Sequence, residues 1–295
     1  KRNKLLNSGL PCESIATFWL EIISGCRALE KKLEIAYLGP QGTYSELAAR
    51  VLFGHMVDLV PCDSLEEVLE RGERGESDIS LLPVENSIEG TVGRTLDLLV
   101  TAKVKISAEI SIPINHLLLR KVGEFNHITK VVAHSQALLQ CQKWLDLRLP
   151  SVPRLAVESN GVAAQMAQHD EKIVAIAGKL AQEKYDLVSL ANDIQNEKFN
   201  RTRFAALGKF EPDGCDTDQT SIIVGVRDQV GAMHKVVESF AKNYVSLRRF
   251  ESRPARTTRV HAWEYLFYID LEGHINDIKV RKALDDVKEN SVFFK

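Results

Sequence analysis

Four short stretches of the sequence carry more hydrogen-bonding side chains than loops require: "LGPQGTYSE" (38–46), "VENSIEGTV" (84–92), "ESNGVAA" (158–164) and "NRTRF" (200–204). Each reads as a strand end whose small or polar cluster opens a helix. At the carboxyl ends of strands in parallel α/β sheets, helix amino-termini present unpaired N–H groups and positive partial charge, so small anions gather there. The donors are Thr43, Ser45, Asn86, Ser87, Thr91, Ser159, Asn160, Asn200 and Thr202, with Arg203 as a cation. Such a set holds carboxylates by neutral hydrogen bonds rather than by a nest of lysines. Taken singly, each segment is explained by helix capping, since Ser, Thr and Asn are preferred caps. Their coincidence points to a site.

Other constellations are weaker. Glu85 and Glu89 could form a carboxylate pair for acid–base work, although acids spaced this way around a turn also serve capping and solvation. His116 and His134 lie near strand ends and could act as acid or base; a hydrogen-bonded structural role is the commoner one. No Ser-His-Asp order or zinc motif stands out, and no cofactor or metal is expected.

The elements that must position these residues follow from periodicity. From Leu33 short β-rich runs alternate with helical stretches, as in "LEIAYLG" then "SELAARVLFG" and "KIVAIAG" then "KLAQEKY". Such alternation predicts an α/β fold with largely parallel pairing to about residue 212. The polar "EPDGCDTDQ" reads as a linker. Beyond it, strand, helix, strand, strand, helix and a final strand give a ferredoxin-like βαββαβ unit. Ahead of Leu33, Ile15, Phe18, Trp19, Ile22, Ile23 and Leu29 recur at helical spacing over residues 13–32, an amphipathic helix that needs a neighbour to dock on.

Overall composition excludes several classes. A formal net charge of −2 leaves no basic footprint for nucleic acid. No apolar run reaches the roughly 20 residues needed to span a bilayer, and no signal-peptide pattern opens the chain. The odd, scattered set Cys12, Cys26, Cys62, Cys141 and Cys215 suits buried reduced thiols in the cytoplasm.

The stretches "GPQGTYSELAA", "PVENSIEGTV", "AHSQALLQCQKWL", "ESNGVAAQMA" and "NRTRF", followed by "GAMHKVVESF" and "ESRPART", resemble prephenate dehydratase, and more closely the bifunctional chorismate mutase/prephenate dehydratase family of phenylalanine biosynthesis. The resemblance implies a two-lobed, periplasmic-binding-protein-like dehydratase domain (33–212) with its site in the cleft, then an ACT regulatory domain (213–295). It implies that residues 1–32 are the remnant helix of a mutase domain, most of which is absent. Asn86, Thr202 and Arg203 become the expected catalytic residues. Thr43, Ser45, Ser87, Thr91, Gln140, Ser159, Asn160, Asn200 and Phe204 become substrate-binding. Gly231, Ala232, Met233, Glu251, Ser252, Arg253 and Pro254 become the phenylalanine site, and a homodimer or homotetramer is expected.

Some positions depart from the pattern. Ala133 stands where many relatives have serine, so Gln140 is carried over and position 133 is not. Asn160 replaces a threonine. Tyr244 replaces a glycine at the end of a helix, and Asn243, which tolerates the left-handed conformation, is expected to take over that turn.

In the implied reaction prephenate loses its ring hydroxyl as water and its ring carboxylate as carbon dioxide, giving phenylpyruvate. Thr202 is expected at the leaving hydroxyl, polarised by Arg203 or a water. Two other readings are an arogenate dehydratase, which performs the same elimination on the amino-acid analogue, and a non-catalytic amino-acid-binding regulator.

Overall fold

A computed structural model describes residues 11–215, 217–227, 229–255 and 265–295. The chain divides into two units, one of residues 1–95 with 102–210, the other of 96–101 with 211–295. In chain order the first part comprises α1 (Cys12–Glu30), β1 (Glu34–Leu38), α2 (Tyr44–Phe53), β2 (Asp58–Cys62), α3 (Leu65–Arg74), β3 (Ile79–Asn86), β4 (Gly90–Thr91), α4 (Gly93–Thr101) and β5 (Lys105–Pro113). There follow β6 (Leu117–Arg120), β7 (Lys130–His134), α5 (Ser135–Gln140), α6 (Gln142–Arg148), β8 (Arg154–Val157), α7 (Asn160–His169), β9 (Ile173–Ala177), α8 (Lys179–Lys184), β10 (Val188–Ala191) and β11 (Arg201–Gly208).

The first unit is built on two sheets, ordered β2-β1-β3-β11-β5, with β4 beside β3, and β10-β6-β9-β7-β8. Each has a parallel body, β1 with β2 and β3, and β7 with β8 and β9. Strands such as β9, "IVAIA", are buried at every residue, the continuous apolar run of a strand covered on both faces. Around the first sheet Ile35, Tyr37, Leu81, Phe204 and Ala206 form the core. On the second, Ala163, Ala164 and Ala167 of α7 lie against Val132 and Ala175, their small side chains letting the helix sit close.

Pairing is less uniformly parallel than the strand–helix alternation suggests. β11 runs antiparallel to both β3 and β5, and β6 runs antiparallel to β9 and β10. Strands β5 and β6 flank one passage of the chain between sheets, Pro113 to Leu117 outward, and β10 and β11 flank the other, Ala191 to Arg201 back. A strand entering from the other lobe meets its sheet from the opposite direction. The passages are tied together, with Ile114 N donating to Asn200 O at 2.9 Å and Ile194 N to His116 O at 3.0 Å.

Helix α1 docks through polar groups. His55 Nδ1 lies 2.7 Å from Glu21 Oε1, and Met56 N donates to Ser24 Oγ at 3.2 Å. Its apolar residues Phe18, Trp19, Ile23 and Leu29 stay exposed.

The second unit contains β12 (Gln219–Gly225), α9 (Ala232–Lys242), β13 (Leu247–Pro254), β14 (Tyr265–Glu272), α10 (Ile278–Glu289) and β15 (Phe293–Phe294). Its antiparallel sheet has the order β13-β14-β12-β15, the ferredoxin-like arrangement expected from the βαββαβ string. Val224, Val236, Phe240, Ile269, Leu271, Val280 and Leu284 form its core. Edge strand β13 alternates half-buried and exposed residues along its whole length, the period-two pattern of a one-sided strand.

The turn after α9 differs from expectation. Tyr244 itself takes the left-handed conformation at φ 56, while Asn243 keeps φ −96. Asn243 Nδ2 donates to Ser239 O at 2.8 Å. The amide is occupied in capping the helix, so the bend passes to the next residue.

Candidate active site

A cavity of about 550 Å³ lies between the two sheets of the first unit. One wall comes from the ends of β1 and β3 and the start of α2, with Thr43, Tyr44, Ser45, Asn86, Thr91, Asn200 and Thr202. The other comes from the ends of β7 and β8 and their following helices, with His134, Gln136, Gln140, Ser159 and Asn160. His116, on the first passage between lobes, joins them.

The "NRTRF" stretch does not open a helix: Arg201 begins strand β11. Because β11 is antiparallel to β3, its start lies at the edge where β3 ends, and Thr202 pairs directly with Asn86. Two segments far apart in sequence thus meet at one rim. "ENSIEGT" forms a β3–β4 turn with Gly90 at φ 82 before α4 begins.

At this rim the side chains form a continuous hydrogen-bonded chain. Asn86 Oδ1 accepts from the backbone N–H groups of Ile88 and Glu89, both at 3.0 Å. Its amide nitrogen donates to Asn200 Oδ1 at 2.7 Å and to Thr202 Oγ1 at 2.9 Å. Asn200 is 1% exposed, and its nitrogen donates to Gln140 Oε1 at 3.1 Å. Gln140 Nε2 then donates to Glu89 Oε1 at 3.1 Å. Backbone N–H groups only donate and a carboxylate only accepts, so both ends fix the amide orientations between them. Thr202 Oγ1 is therefore an acceptor toward Asn86, and its own hydrogen remains to be donated elsewhere.

Helix capping accounts for part of the donor set. Thr43 caps α2 by accepting from Glu46 N, and Ser159 caps α7 by accepting from Val162 N at 3.1 Å. Asn160 Oδ1 accepts from His134 N at 2.9 Å, joining the starts of two helices on the same wall. Ser87 is not at the cavity: it accepts from Arg201 N at 2.9 Å and donates to Phe199 O at 3.3 Å, clipping the two strand ends together.

Arg203 is also placed elsewhere. Successive residues of a strand point to opposite faces, and Thr202 lines the cavity whereas the Arg203 guanidinium meets Glu109 at 3.3 Å and Glu85 at 3.5 Å. Arg203 cannot polarise the Thr202 hydroxyl from there. Glu85 is removed from the cavity with it, and Glu89 and Glu158 are the acids that line the wall. Phe204 lines the floor at 2% exposure.

Sequence pattern gives no signal for Tyr44 or Gly178 at the cavity and offers His116 only as an acid or base, because their placement arises from the meeting of lobes. The Tyr44 hydroxyl donates to Asn115 O, and burial pushes its phenol well above the usual range. Tyr44 meets the His116 ring edge-on at 6.1 Å between centroids. A β-carbon on Gly178 would come within 3.1 Å of the Tyr44 ring, and the glycine lets that ring seat. His116 is 2% exposed, with Nε2 at 2.9 Å from Gln140 Oε1.

Of the residues expected to hold an effector, Gly231 adopts φ 82 immediately before α9, and Glu251 to Pro254 end β13. Leu266 of β14 pairs with Gly225 on one side and Arg253 on the other, so β12 and β13 finish at one end of the sheet. Arg253 is paired with Asp97 at 3.3 Å within this unit. A separate, open cavity of about 640 Å³ in this unit is lined by Lys242, Asn243, Tyr244, Asp277, Lys279 and Lys282 among others. Its lining is exposed apart from the half-buried Asn243, so it offers no desolvated polar group to hold a ligand.

Among the described residues no helix is long and apolar enough to cross a membrane, and no group of His, Cys, Asp or Glu could hold a metal ion. A cleft between two α/β lobes, walled mostly by hydroxyls and amides, with a ferredoxin-like unit after it in the chain, defines a small-acid enzyme with a regulatory domain. The prephenate dehydratase family model matches residues 35–212, and the ACT domain model residues 220–289. The chain belongs to the prephenate dehydratase family, the lyases that form phenylpyruvate in aromatic amino acid biosynthesis; its activity is that dehydration, with regulation through the ACT domain.

Similar proteins agree with this. A bifunctional chorismate mutase/prephenate dehydratase of Aquifex aeolicus is 40% identical over 294 residues, 99% of this chain and 80% of that protein. One from Neisseria gonorrhoeae is 41% identical over 299 residues, covering 100% of this chain and 82% of its own length. A solved prephenate dehydratase from Arthrobacter aurescens, in complex with L-Phe, superimposes with a TM-score of 0.81 at 32% identity, over 89% of this chain and 88% of that one.

Proposed function

We propose that prephenate binds in the inter-lobe cavity with its ring hydroxyl at Thr202, and that Thr202 and Asn86 form the catalytic pair. The observation that carries this is the Asn86 Nδ2 to Thr202 Oγ1 hydrogen bond of 2.9 Å, in a chain of amides whose polarity leaves the threonine hydrogen for the substrate. A hydroxyl that accepts one hydrogen bond becomes a better donor in the next. Asn86 thereby supplies the polarisation that Arg203 cannot.

The carbon–oxygen bond breaks with its electron pair leaving on the hydroxyl oxygen. The pair from the bond to the ring carboxylate enters the ring, carbon dioxide departs, and one proton from solvent, relayed through Thr202, completes the water. No carbon-bound proton is removed. A cation clamped on the departing carboxylate would stabilise ground-state charge about to disappear, giving binding without rate. The neutral donors Asn86, Asn200, Thr43, Ser45, Thr91, Ser159, Asn160 and Gln140 orient the acid without that penalty.

The test is Thr202→Val, which keeps the shape and removes the donor. Turnover of prephenate should fall about 10²–10⁴-fold, the usual worth of positioned proton transfer. Turnover within a few-fold of the parent removes Thr202 from the mechanism. Rates on prephenate and arogenate side by side decide which substrate is preferred.

Phenylalanine is the proposed effector, bound where β12 and β13 end, around Gly231–Met233 and Glu251–Pro254, in a homodimer or homotetramer in the cytoplasm. The domains proposed are 33–212 for dehydration and 213–295 for regulation, with α1 the last helix of a chorismate mutase domain. A complex with L-Phe in a similar structure supports the choice of effector; a rate unchanged by rising phenylalanine would count against it.

A further inference from the structure

We infer that His116 is a positioning residue for the dehydration: as a neutral imidazole protonated on Nε2, it holds the Gln140 carbonyl and so fixes the amide chain that leaves the Thr202 hydrogen for the substrate. This rests on the reading of Thr202 given above.

The tautomer follows from the neighbours. Glu89 accepts from Gln140 Nε2 at 3.1 Å, which turns Gln140 Oε1 toward His116 and Asn200. An amide oxygen only accepts, so the His116 nitrogen 2.9 Å away must carry the hydrogen. Nδ1 is then the bare nitrogen, and among the described residues it is buried without a hydrogen-bond partner. An enclosed, unpaired nitrogen on one side and a committed donor on the other leave the ring nothing with which to act as acid or base. The same enclosure disfavours the charged form, holding its pKa below the usual value, so no cation forms beside the substrate's carboxylates.

The backbone fixes the ring's position. His116 N donates to Gln195 Oε1 at 2.9 Å, and Ile194 N donates to His116 O at 3.0 Å. Both passages between the lobes thus meet at this residue.

Without the Nε2–H donor, Gln140 Oε1 keeps only Asn200 as partner, and the exposed Glu89 carboxylate alone holds the amide in its orientation, so the amide can turn over whenever that contact opens. A turned Gln140 presents N–H to Asn200 and turns that amide too. Asn200 nitrogen would then face Asn86 nitrogen, which the backbone N–H groups of Ile88 and Glu89 hold in place. Two donors in opposition would draw Asn86 away from Thr202.

The experiment uses the full chain and prephenate, with Thr202→Val assayed alongside. His116→Leu should lower kcat roughly 10²-fold, the cost of a misplaced catalytic group, with KM within about three-fold of the parent. His116→Gln, whose amide nitrogen reaches the Nε2 position, should return to within about five-fold of the parent. In ¹⁵N spectra of histidine-labelled parent protein, His116 should show a protonated Nε2 and a bare Nδ1.

A parental kcat in His116→Leu, a rise in KM alone, a glutamine variant no better than leucine, or a proton on Nδ1 would each overturn the proposal. If His116→Leu fails to fold, the spectra and the glutamine variant still decide. A normal rate in Thr202→Val sinks the reading of Thr202 itself, independently of what His116 does.

Discussion

The amide nitrogen of Asn86 donates to the hydroxyl oxygen of Thr202 at 2.9 Å although 116 residues separate them in sequence. The antiparallel register of β3 and β11 puts the two directly opposite. Asn86 donates to Thr202 through its amide nitrogen while its amide oxygen accepts from two backbone N–H groups.

Asn86→Asp tests that division of roles at almost constant shape. The carboxylate keeps the contacts to Ile88 and Glu89 but has no hydrogen for Asn200 or Thr202, and it would draw the Thr202 hydrogen to itself. Turnover of prephenate should fall by about 10² or more, measured by the appearance of phenylpyruvate. Parental turnover would mean that the threonine works without this neighbour.

Gly161 tests the meeting of the lobes. A β-carbon there would lie 2.8 Å from Pro40 Cγ and 3.1 Å from Gln41 O, neither of them the end of a flexible chain. Gly161→Ala should destabilise the first unit by about 1–3 kcal/mol, as overpacking does, and raise KM by parting Thr43 from Ser159. Denaturant unfolding with an unchanged midpoint would show that this contact yields freely.

His116 links stability to pH. Burial lowers its pKa from the ordinary value of 6.5, so the unfolded chain binds a proton that the folded one refuses. The contribution is complete above pH 6.5 and is lost as pH falls below it, by at most about 1.4 kcal/mol per pH unit until the folded pKa is reached. Glu21 and Asp78, whose pKa values are lowered, act below their ordinary values of 4.5 and 3.8, under this window. Thermal unfolding of His116→Gln should therefore lose most of the acid slope between about pH 5 and 6.5. An identical slope in parent and variant would assign it to other groups.

Tyr244 holds φ 56 with its side chain 88% exposed. A left-handed non-glycine residue costs roughly 1–2 kcal/mol, and an exposed ring recovers little of it. Tyr244→Gly should raise the stability of the second unit by about 1 kcal/mol, since glycine's larger unfolded-state entropy offsets part of the relief. A lower unfolding midpoint would show that the ring has a partner in solution.

Elements were legible where their signal is local. The apolar runs of β1, β7 and β9, the capping hydroxyls Thr43 and Ser159 and the βαββαβ string each follow from a few neighbouring residues. Arg203 is adjacent to Thr202 in sequence, which suggests cooperation, but the strand turns the two to opposite faces. Tyr244 rather than Asn243 takes the left-handed turn, because side-chain capping by Asn243 depends on the helix carbonyl it reaches.

The sequence by itself determined the kinds of group available: uncharged amides and hydroxyls in four clusters, joined to strands and helices by period and cap. It also fixed the family, because the motifs are specific. Only the tertiary structure decided which groups meet and which way each hydrogen points. Strand direction and register bring Asn86 to Thr202, and the crossing of the lobes brings His116 to Gln140. Those pairings depend on contacts between residues far apart in the chain, for which neighbouring residues carry no signal.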